Sequence, residues 1–555
     1  MINKKLLAVP LMATMLFTAA GCTKDQSAST STNSNKNDKS PVTYTYFNAG
    51  AAGKDLNTDE TTIGKELEKQ TGVNFKVEHI VGDVNTKIGT MIASGKYPDL
   101  LVPDTAIDKV VQAGAFIDLT DLIDKYAPNL KKLYGPYLNR MKDPKDGKIY
   151  FIPFGASQGY APYPDIQQSA FWVQRAVLKE AGYPKIKTAD EYFKLIEDYQ
   201  KKHPTVDGAK TIGFTALTYD WRFSTLSGTP ARLAGSPNDG GVIVDMNTHK
   251  SSVYGNKDIT KNYLKMLNEL NNKGLFDKEA FVSNYDEYLA KIASGRVLGF
   301  YDYQWQISQS LNNLKQAGND DKQYMALPIT FDDSIKDQYI DPPTFVNNRG
   351  VGITVSAKDP VRIIKYLDAL CKEENQKLVE WGIKGQTYEV DSKGRYYRTQ
   401  EEIAKTSDQA FNDKFGFTTF DWYWPVGDGL YSDGNAWLPG KQPEVAIASY
   451  TDGDKKLLQA YGIKVFSDLF AKPDDRPWYP TWSAQIPQGS PAQIFDQRST
   501  DLEKKYFPKL VLSSPSQFNS IWNEYVKQYN ALDVKAYEST MDKVVKDRIE
   551  QAKQK

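Results

Sequence analysis

The densest run of chemistry-bearing side chains is Tyr301-Asp302-Tyr303-Gln304-Trp305, which follows the apolar stretch Val297-Leu-Gly-Phe. Phenols, a carboxylate and an indole at the end of a strand-like segment suit binding better than bond cleavage. An aromatic plane stacks on the C–H face of a ring such as a sugar, a contact worth about 0.5–1.5 kcal/mol beyond burial. Carboxylate, amide and guanidinium groups then match a rim of hydroxyls. Trp305 and Asp302 form the leading pair, with Tyr301 beside them. Further planes are Trp221, next to Arg222 in a Tyr-Asp-Trp-Arg-Phe loop, Trp172 after a strand-like start, and Trp424 in the Asp421-Trp-Tyr-Trp cluster.

Catalysis finds less support. His79, His203 and His249 are the only histidines, and none stands at metal-ligand spacing from another. A zinc or Ser-His-Asp hydrolase is therefore not expected, and no metal or cofactor is assigned. Cys371 is the only cysteine after Cys22 and shares a helical face with Ile364 and Leu367, which reads as a buried thiol without a disulfide framework. The 69 basic residues balance 69 acidic ones, so there is no basic field to attract nucleic acid. The acids are too numerous to exclude a glycosidase-type carboxylate pair by inspection.

Placing these groups falls to alternating strands and helices. Residues 42–47, 73–80 and 98–102 read as strands, separated by helices that stop at Thr71-Gly72 and Gly95, an order that argues for a parallel sheet with helices on its faces. Residues 147–154 read as a strand and crossing point. Thr188-Ala-Asp-Glu191 is a capping box opening a helix, and Ser283-Asn-Tyr-Asp286 starts another, which Gly295 stops before the strand at 297–301. Residues 351–355 are a further strand. The last 170 or so residues look loop-rich, becoming helical from about Ser516. A chain of 555 residues exceeds one core, so at least two lobes are expected.

The amino terminus reads as an export leader: Lys4 and Lys5, an apolar run over 6–20, then Ala19-Ala20-Gly21-Cys22. The run is shorter than the ~20 residues a spanning helix needs. The cysteine after Ala-Ala-Gly resembles the lipobox of bacterial lipoproteins, with Ala19 where that motif usually has Leu, and implies acylation of Cys22. Residues 23–40 are almost wholly polar and read as a tether.

Several motifs in order resemble the family 1 extracellular solute-binding proteins of ABC importers, in their LplA-like lipoprotein branch. They are Glu68-Lys-Gln-Thr-Gly-Val73, Ala93-Ser-Gly-Lys-Tyr-Pro-Asp-Leu100, Gly114-Ala-Phe-Ile-Asp-Leu119, Gly147-Lys-Ile-Tyr150, Ala293-Ser-Gly-Arg-Val297, and Asn375-Gln376 through Trp381-Gly-Ile-Lys-Gly385. The resemblance implies a two-lobed α/β fold of the type II periplasmic-binding-protein kind, each lobe a sheet flanked by helices, with hinge crossings and an enlarged C-terminal segment. It implies a lobe of residues 42–153 plus about 297–345, and a second of 154–296 plus about 346–555, the latter carrying the C-terminal extension. It further implies a lipid-anchored, monomeric, non-enzymatic receptor on the outer face of the cell membrane. Such a receptor captures an oligosaccharide by hinge closure and delivers it to permease subunits served by a cytoplasmic ATPase. Many relatives carry a calcium-type loop where this chain has His203-Pro-Thr-Val-Asp-Gly-Ala-Lys-Thr211; only Asp207 there is a hard oxygen ligand, so no calcium is expected.

In open α/β sheets ligands sit beyond the carboxyl ends of strands. This adds Asn48, Gln158 and Arg349 to the candidates. The Arg349 fork suits an acidic sugar, or else an interlobe salt bridge. The competing readings are a secreted glycosidase or lyase, a receptor for a peptide or metal chelate, and a purely structural surface protein.

Overall fold

The structure, a computed structural model, describes residues 39–553. The expected leader, Cys22 and the tether up to residue 38 lie outside the described residues. Among the described residues no helix is long and apolar enough to cross a membrane.

Two sheets, each with its own apolar core, organise the chain. The first runs in spatial order Leu56–Asn57, Val73–His79, Val42–Asn48, Leu100–Val102, Val346–Ile353, Ile152–Phe154. Val42–Asn48 is parallel to both Val73–His79 and Leu100–Val102, as the strand–helix alternation predicts. The connecting helices Thr62–Thr71 and Val84–Ser94 end at Gly72 and Gly95. The second sheet runs Ile212–Thr215, Val297–Tyr303, Ser169–Gln174, Tyr324–Leu327. The capping box of Thr188 and Glu191 opens helix Ala189–Lys202. Asn284, with Glu287, caps helix Tyr285–Ala293.

The two returning segments are exchanged relative to the expected lobe boundaries. Val297–Tyr303 lies inside the second sheet, between a parallel and an antiparallel neighbour. Its first six residues are all buried, and Gly299 lets Tyr192 and Ile196 pack directly on its backbone. A strand apolar on both faces needs cover on both sides, and the preceding helices supply it. Val346–Ile353 instead enters the first sheet, antiparallel to both Leu100–Val102 and Ile152–Phe154. Helix Pro360–Leu370 and the aromatic residues as far as Trp437 then complete that first core. From Leu457 the chain packs into the second core again.

The C-terminal region is more helical than its sequence suggests. Helix Pro491–Leu512 contains Pro508, whose missing N–H and ring ordinarily end a helix, yet it continues because its buried face (Phe495, Tyr506, Phe507, Leu510) joins the second core. Asn268 donates to the carbonyls of Leu510 and Ser513 and ties the end of this helix to helix Asp258–Asn272. Helices Pro515–Tyr529 and Val534–Lys553 follow. Cys371 is buried and free, in keeping with a structural thiol.

Candidate ligand-binding site

Ile212–Thr215 and Val297–Tyr303 are parallel, so the segments leaving their carboxyl ends emerge at one edge of the second sheet. That edge brings together Trp221, Arg222 and Trp305. The two indoles lie nearly parallel, 15° apart with centroids 6.1 Å apart, and remain 58% and 50% exposed. The Arg222 guanidinium sits between the rings of Trp221 and Tyr285, 4.7 and 4.1 Å from their centroids, and pairs with Asp220 at 2.6 Å. Tyr303 flanks Trp305 at 5.6 Å and accepts a hydrogen bond from Asn238.

Asp302 lies beneath this platform rather than on it. Its carboxyl group is fully buried and accepts hydrogen bonds from the Tyr288 hydroxyl at 2.7 Å, the Gln306 amide at 2.8 Å and the Tyr303 N–H at 2.7 Å. Burial outweighs these bonds and pushes it up to about 7. Asp302 therefore braces the turn from strand into helix Gln304–Gln316, and so sets where Trp305 stands.

At the carboxyl edge of the first sheet, Asn48 closes a turn by accepting from the Gly50 N–H. Arg349 forms an ion pair with Asp104 at 2.8 Å. Both residues belong to the first sheet and its immediate continuation, so the pair is internal to one lobe rather than interlobe. Residues 421–424 are clamped to the same edge: the Tyr423 hydroxyl donates to the Gly50 carbonyl, and the Tyr46 hydroxyl donates to the Tyr423 carbonyl. A Cβ on Gly50 would fall inside the Tyr423 ring, so a side chain at 50 would dislodge the clamp. The clamp turns Trp424 inward to full burial and leaves Trp422 48% exposed above Gly155.

Trp422 stands at the wall of a cavity of about 540 Å³, bounded by the crossings near 155–168 and 339–344 and by the segment 379–441. The first crossing is fastened to that segment by parallel pairing of Ala156–Gln158 with Gly427–Gly429. Gln158 points away from the cavity and donates to the Leu133 carbonyl. The wall includes Tyr160, Tyr163, Phe420 and Trp422 together with the carboxyl groups of Glu380, Asp421 and Asp428. Lys441 bridges both oxygens of Asp428 at 2.7 Å. Burial, helped by repulsion from Asp428 and Asp421, pushes Glu380 up to about 8, and burial raises Asp421 to about 6.

Of the residues singled out from sequence, the fold gathers Trp305, Trp221 and Arg222, and holds Asp302 as their support. Trp172, Tyr301 and Trp424 are buried: Trp172 donates to the Asp302 carbonyl, Tyr301 packs on Phe171, and Trp424 packs on Tyr46 and Phe75. These three side chains serve the lobe cores because each lies within or under a strand covered on both faces. Sequence reasoning missed Tyr160 and Glu380. Glu380 ends an ordinary amphipathic helix, and only the arrival of residues 421–428 encloses it. At the expected place of a calcium-type loop, Asp207-Gly208 turns a two-strand hairpin and the Asp207 carboxylate pairs with Lys322.

The family profile of bacterial extracellular solute-binding proteins matches residues 62–384, more than half of the chain. The fructooligosaccharide ABC transporter substrate-binding protein FusA of Streptococcus pneumoniae is 28% identical over 298 residues, 51% of this chain and 54% of FusA. The match thus spans about half the length of that relative. Lipoprotein LipO of Bacillus subtilis is 22% identical over 411 residues, 70% of this chain and 74% of LipO. The solved structure of the Streptococcus pneumoniae FusA EF-hand mutant with fructo-nystose superposes with a TM-score of 0.65 at 21% identity, covering 91% of this chain and 99% of that one. An HMO-binding ABC-transporter-associated solute-binding protein from Bifidobacterium longum infantis gives a TM-score of 0.65 at 15% identity, covering 92% and 99%. At these identities the superpositions speak to the fold.

Proposed function

Because this chain belongs to the family of bacterial extracellular solute-binding proteins, we propose that it is the receptor of an ABC importer, holding an oligosaccharide between its two lobes. The observation that carries this reading is the exposed Trp221–Trp305 platform with Arg222 beside it. Two large indoles left in water side by side are costly unless a partner covers them, and neighbouring planes suit successive rings of a glycan. The names of FusA and LipO, an oligosaccharide-binding protein and a lipoprotein, point the same way. The receptor is non-enzymatic: it closes by hinge motion of the lobes about the crossings and hands its cargo to membrane permease subunits. Acylation of Cys22 anchors a monomer to the outer face of the membrane, with the polar segment after it as the tether.

A thermal-shift screen of the mature chain against neutral, acidic and amino oligosaccharides, with peptides as controls, tests the reading. A ligand that binds only the folded form stabilises it by about 2.7 kcal/mol at a hundredfold excess over Kd. The expected result is an upshift with one glycan class and recovery of that glycan intact. Upshift with peptides alone, or recovery of glycan fragments, refutes it.

A further inference from the structure

Helix Val534–Lys553 turns Tyr537, Met541, Val545 and Arg548 inward, a spacing that keeps them on one face. The first three join the second core, and Arg548 is the one charged member of that buried face. A buried guanidinium needs partners for its N–H groups. Nη1 donates to the carbonyls of Trp478 and Pro480, and Nη2 to the Ser483 hydroxyl at 3.0 Å, all within the second lobe. Nη2 also reaches the side-chain oxygen of Asn347 at 3.2 Å. Asn347 stands near the start of Val346–Ile353, the strand that enters the first sheet. Pairing of that strand with Ile152–Phe154 is interrupted between Val346 and Gly350, which frees the groups of Asn347 for other partners. Its amide donates to the Arg140 carbonyl in the first lobe at 2.9 Å, and its own carbonyl accepts from Gln485 of the second at 3.3 Å. Asn347 is thus bonded from both lobes.

This junction lies beside the crossing that joins the two sheets over residues 328–345. The second lobe grips that crossing as far as Asp341: Arg232 donates to the Gln338 carbonyl and pairs with the Asp341 carboxylate at 3.2 Å. The grip of the first lobe begins at Phe345, which is buried in the first core and whose carbonyl accepts from Arg140 at 2.9 Å. Pro342-Pro343-Thr344 is left between the two grips, and each proline fixes its own φ. We propose that Arg548 and Asn347 form a clasp beside this stiff segment, which holds the lobes to one rotation axis as they open and close. The clasp itself rests on the two-lobed fold, and its use in ligand capture rests on the receptor reading above. Bonds close to an axis survive rotation about it, whereas bending or twisting in other directions breaks them, so a clasp so placed leaves hinge closure free and resists the rest. It also holds like charges together across the junction. Burial, with the Arg140 guanidinium of the first lobe adding to it and Asp239 opposing, pushes Arg548 down to about 9, which still leaves it charged at neutral pH.

Spin labels at Lys132→Cys and Lys265→Cys, exposed positions on helices Pro128–Tyr134 of the first lobe and Asp258–Asn272 of the second, report the interlobe distance by pulsed dipolar spectroscopy. The mature chain carries Cys22→Ser, and the buried Cys371 escapes labelling. Without any glycan, Asn347→Ala should broaden the distance distribution at least ~1.5-fold over its parent, because it cuts the side-chain bonds between the lobes. Ser483→Ala removes a bond from the same Nη2 but inside the second lobe. It should keep the parent distribution while lowering the melting temperature by the same ~1–3 °C as Asn347→Ala. Gln485→Ala removes the other bond to Asn347 and should also broaden the distribution, which decides the matter if Asn347→Ala does not fold. An unchanged distribution in Asn347→Ala, or equal broadening by Ser483→Ala, overturns the clasp. If no glycan of the thermal-shift screen shifts the parent distance, the receptor reading falls instead, and the glycan-free comparison still decides the clasp.

Discussion

Replacing Asp302 with asparagine separates a support from a ligand contact. The folded protein holds this carboxyl at about 7, against 3.8 in an exposed chain, chiefly because it is buried. The folded state therefore binds the proton more tightly than the unfolded state. Its contribution to stability is fully present below about pH 4 and is lost as pH rises towards about 7. At 1.36 kcal/mol per pH unit the loss amounts to about 4 kcal/mol. The amide of an asparagine does not titrate, and the Tyr288 hydroxyl can rotate to accept from it. The stability of Asp302→Asn relative to wild type should thus improve by up to about 4 kcal/mol between pH 4 and pH 8, with little change in ligand affinity. Paired denaturant titrations of the two proteins across that range measure the difference, and other titrating groups cancel. A difference that stays flat with pH refutes the buried-carboxyl reasoning. A large loss of affinity without loss of stability would show Asp302 to be a ligand group.

Trp221→Ala and Trp305→Ala should each weaken glycan binding ~5- to 20-fold with changes in stability below ~1 kcal/mol, because half of each ring is in water; fluorescence titration and melting curves report both. Trp424→Ala should instead cost about 3–5 kcal/mol of stability, as expected for a buried indole, and denaturant unfolding would show it. Gly155→Ala places a Cβ 2.7 Å from the Trp422 ring at a φ of +71°, so it should destabilise the first crossing by ~1–2 kcal/mol and weaken binding. An unchanged melting temperature and Kd would contradict the tight packing at that crossing.

Strand and helix positions were readable where local chemistry decides them: the parallel strands of the first sheet, the Gly72 and Gly95 stops, and the Thr188 capping box. The Trp221–Trp305 meeting was half readable, since each residue follows a strand, but their adjacency depends on Ile212–Thr215 and Val297–Tyr303 lying side by side. Lobe membership of the returning strands was not readable. Val297–Phe300 and Gly350–Ile353 are each a short apolar stretch that would suit either sheet, and only three-dimensional packing separates them. Exposure within Asp421-Trp-Tyr-Trp424 was equally hidden, because the Tyr423 clamp on Gly50 decides which indole turns inward. Glu380 became a site residue only through residues distant in sequence that enclose it.

The proposed receptor closes its two lobes on an oligosaccharide. Small-angle X-ray scattering of the mature chain, with and without a saturating glycan chosen from the thermal-shift screen, addresses this closure directly. A contraction on saturation, absent with a glycan that gives no thermal shift and absent in the Trp221→Ala, Trp305→Ala double variant, is the predicted result. Superimposable scattering curves at proven saturation would contradict closure and, with it, this account of how the protein works.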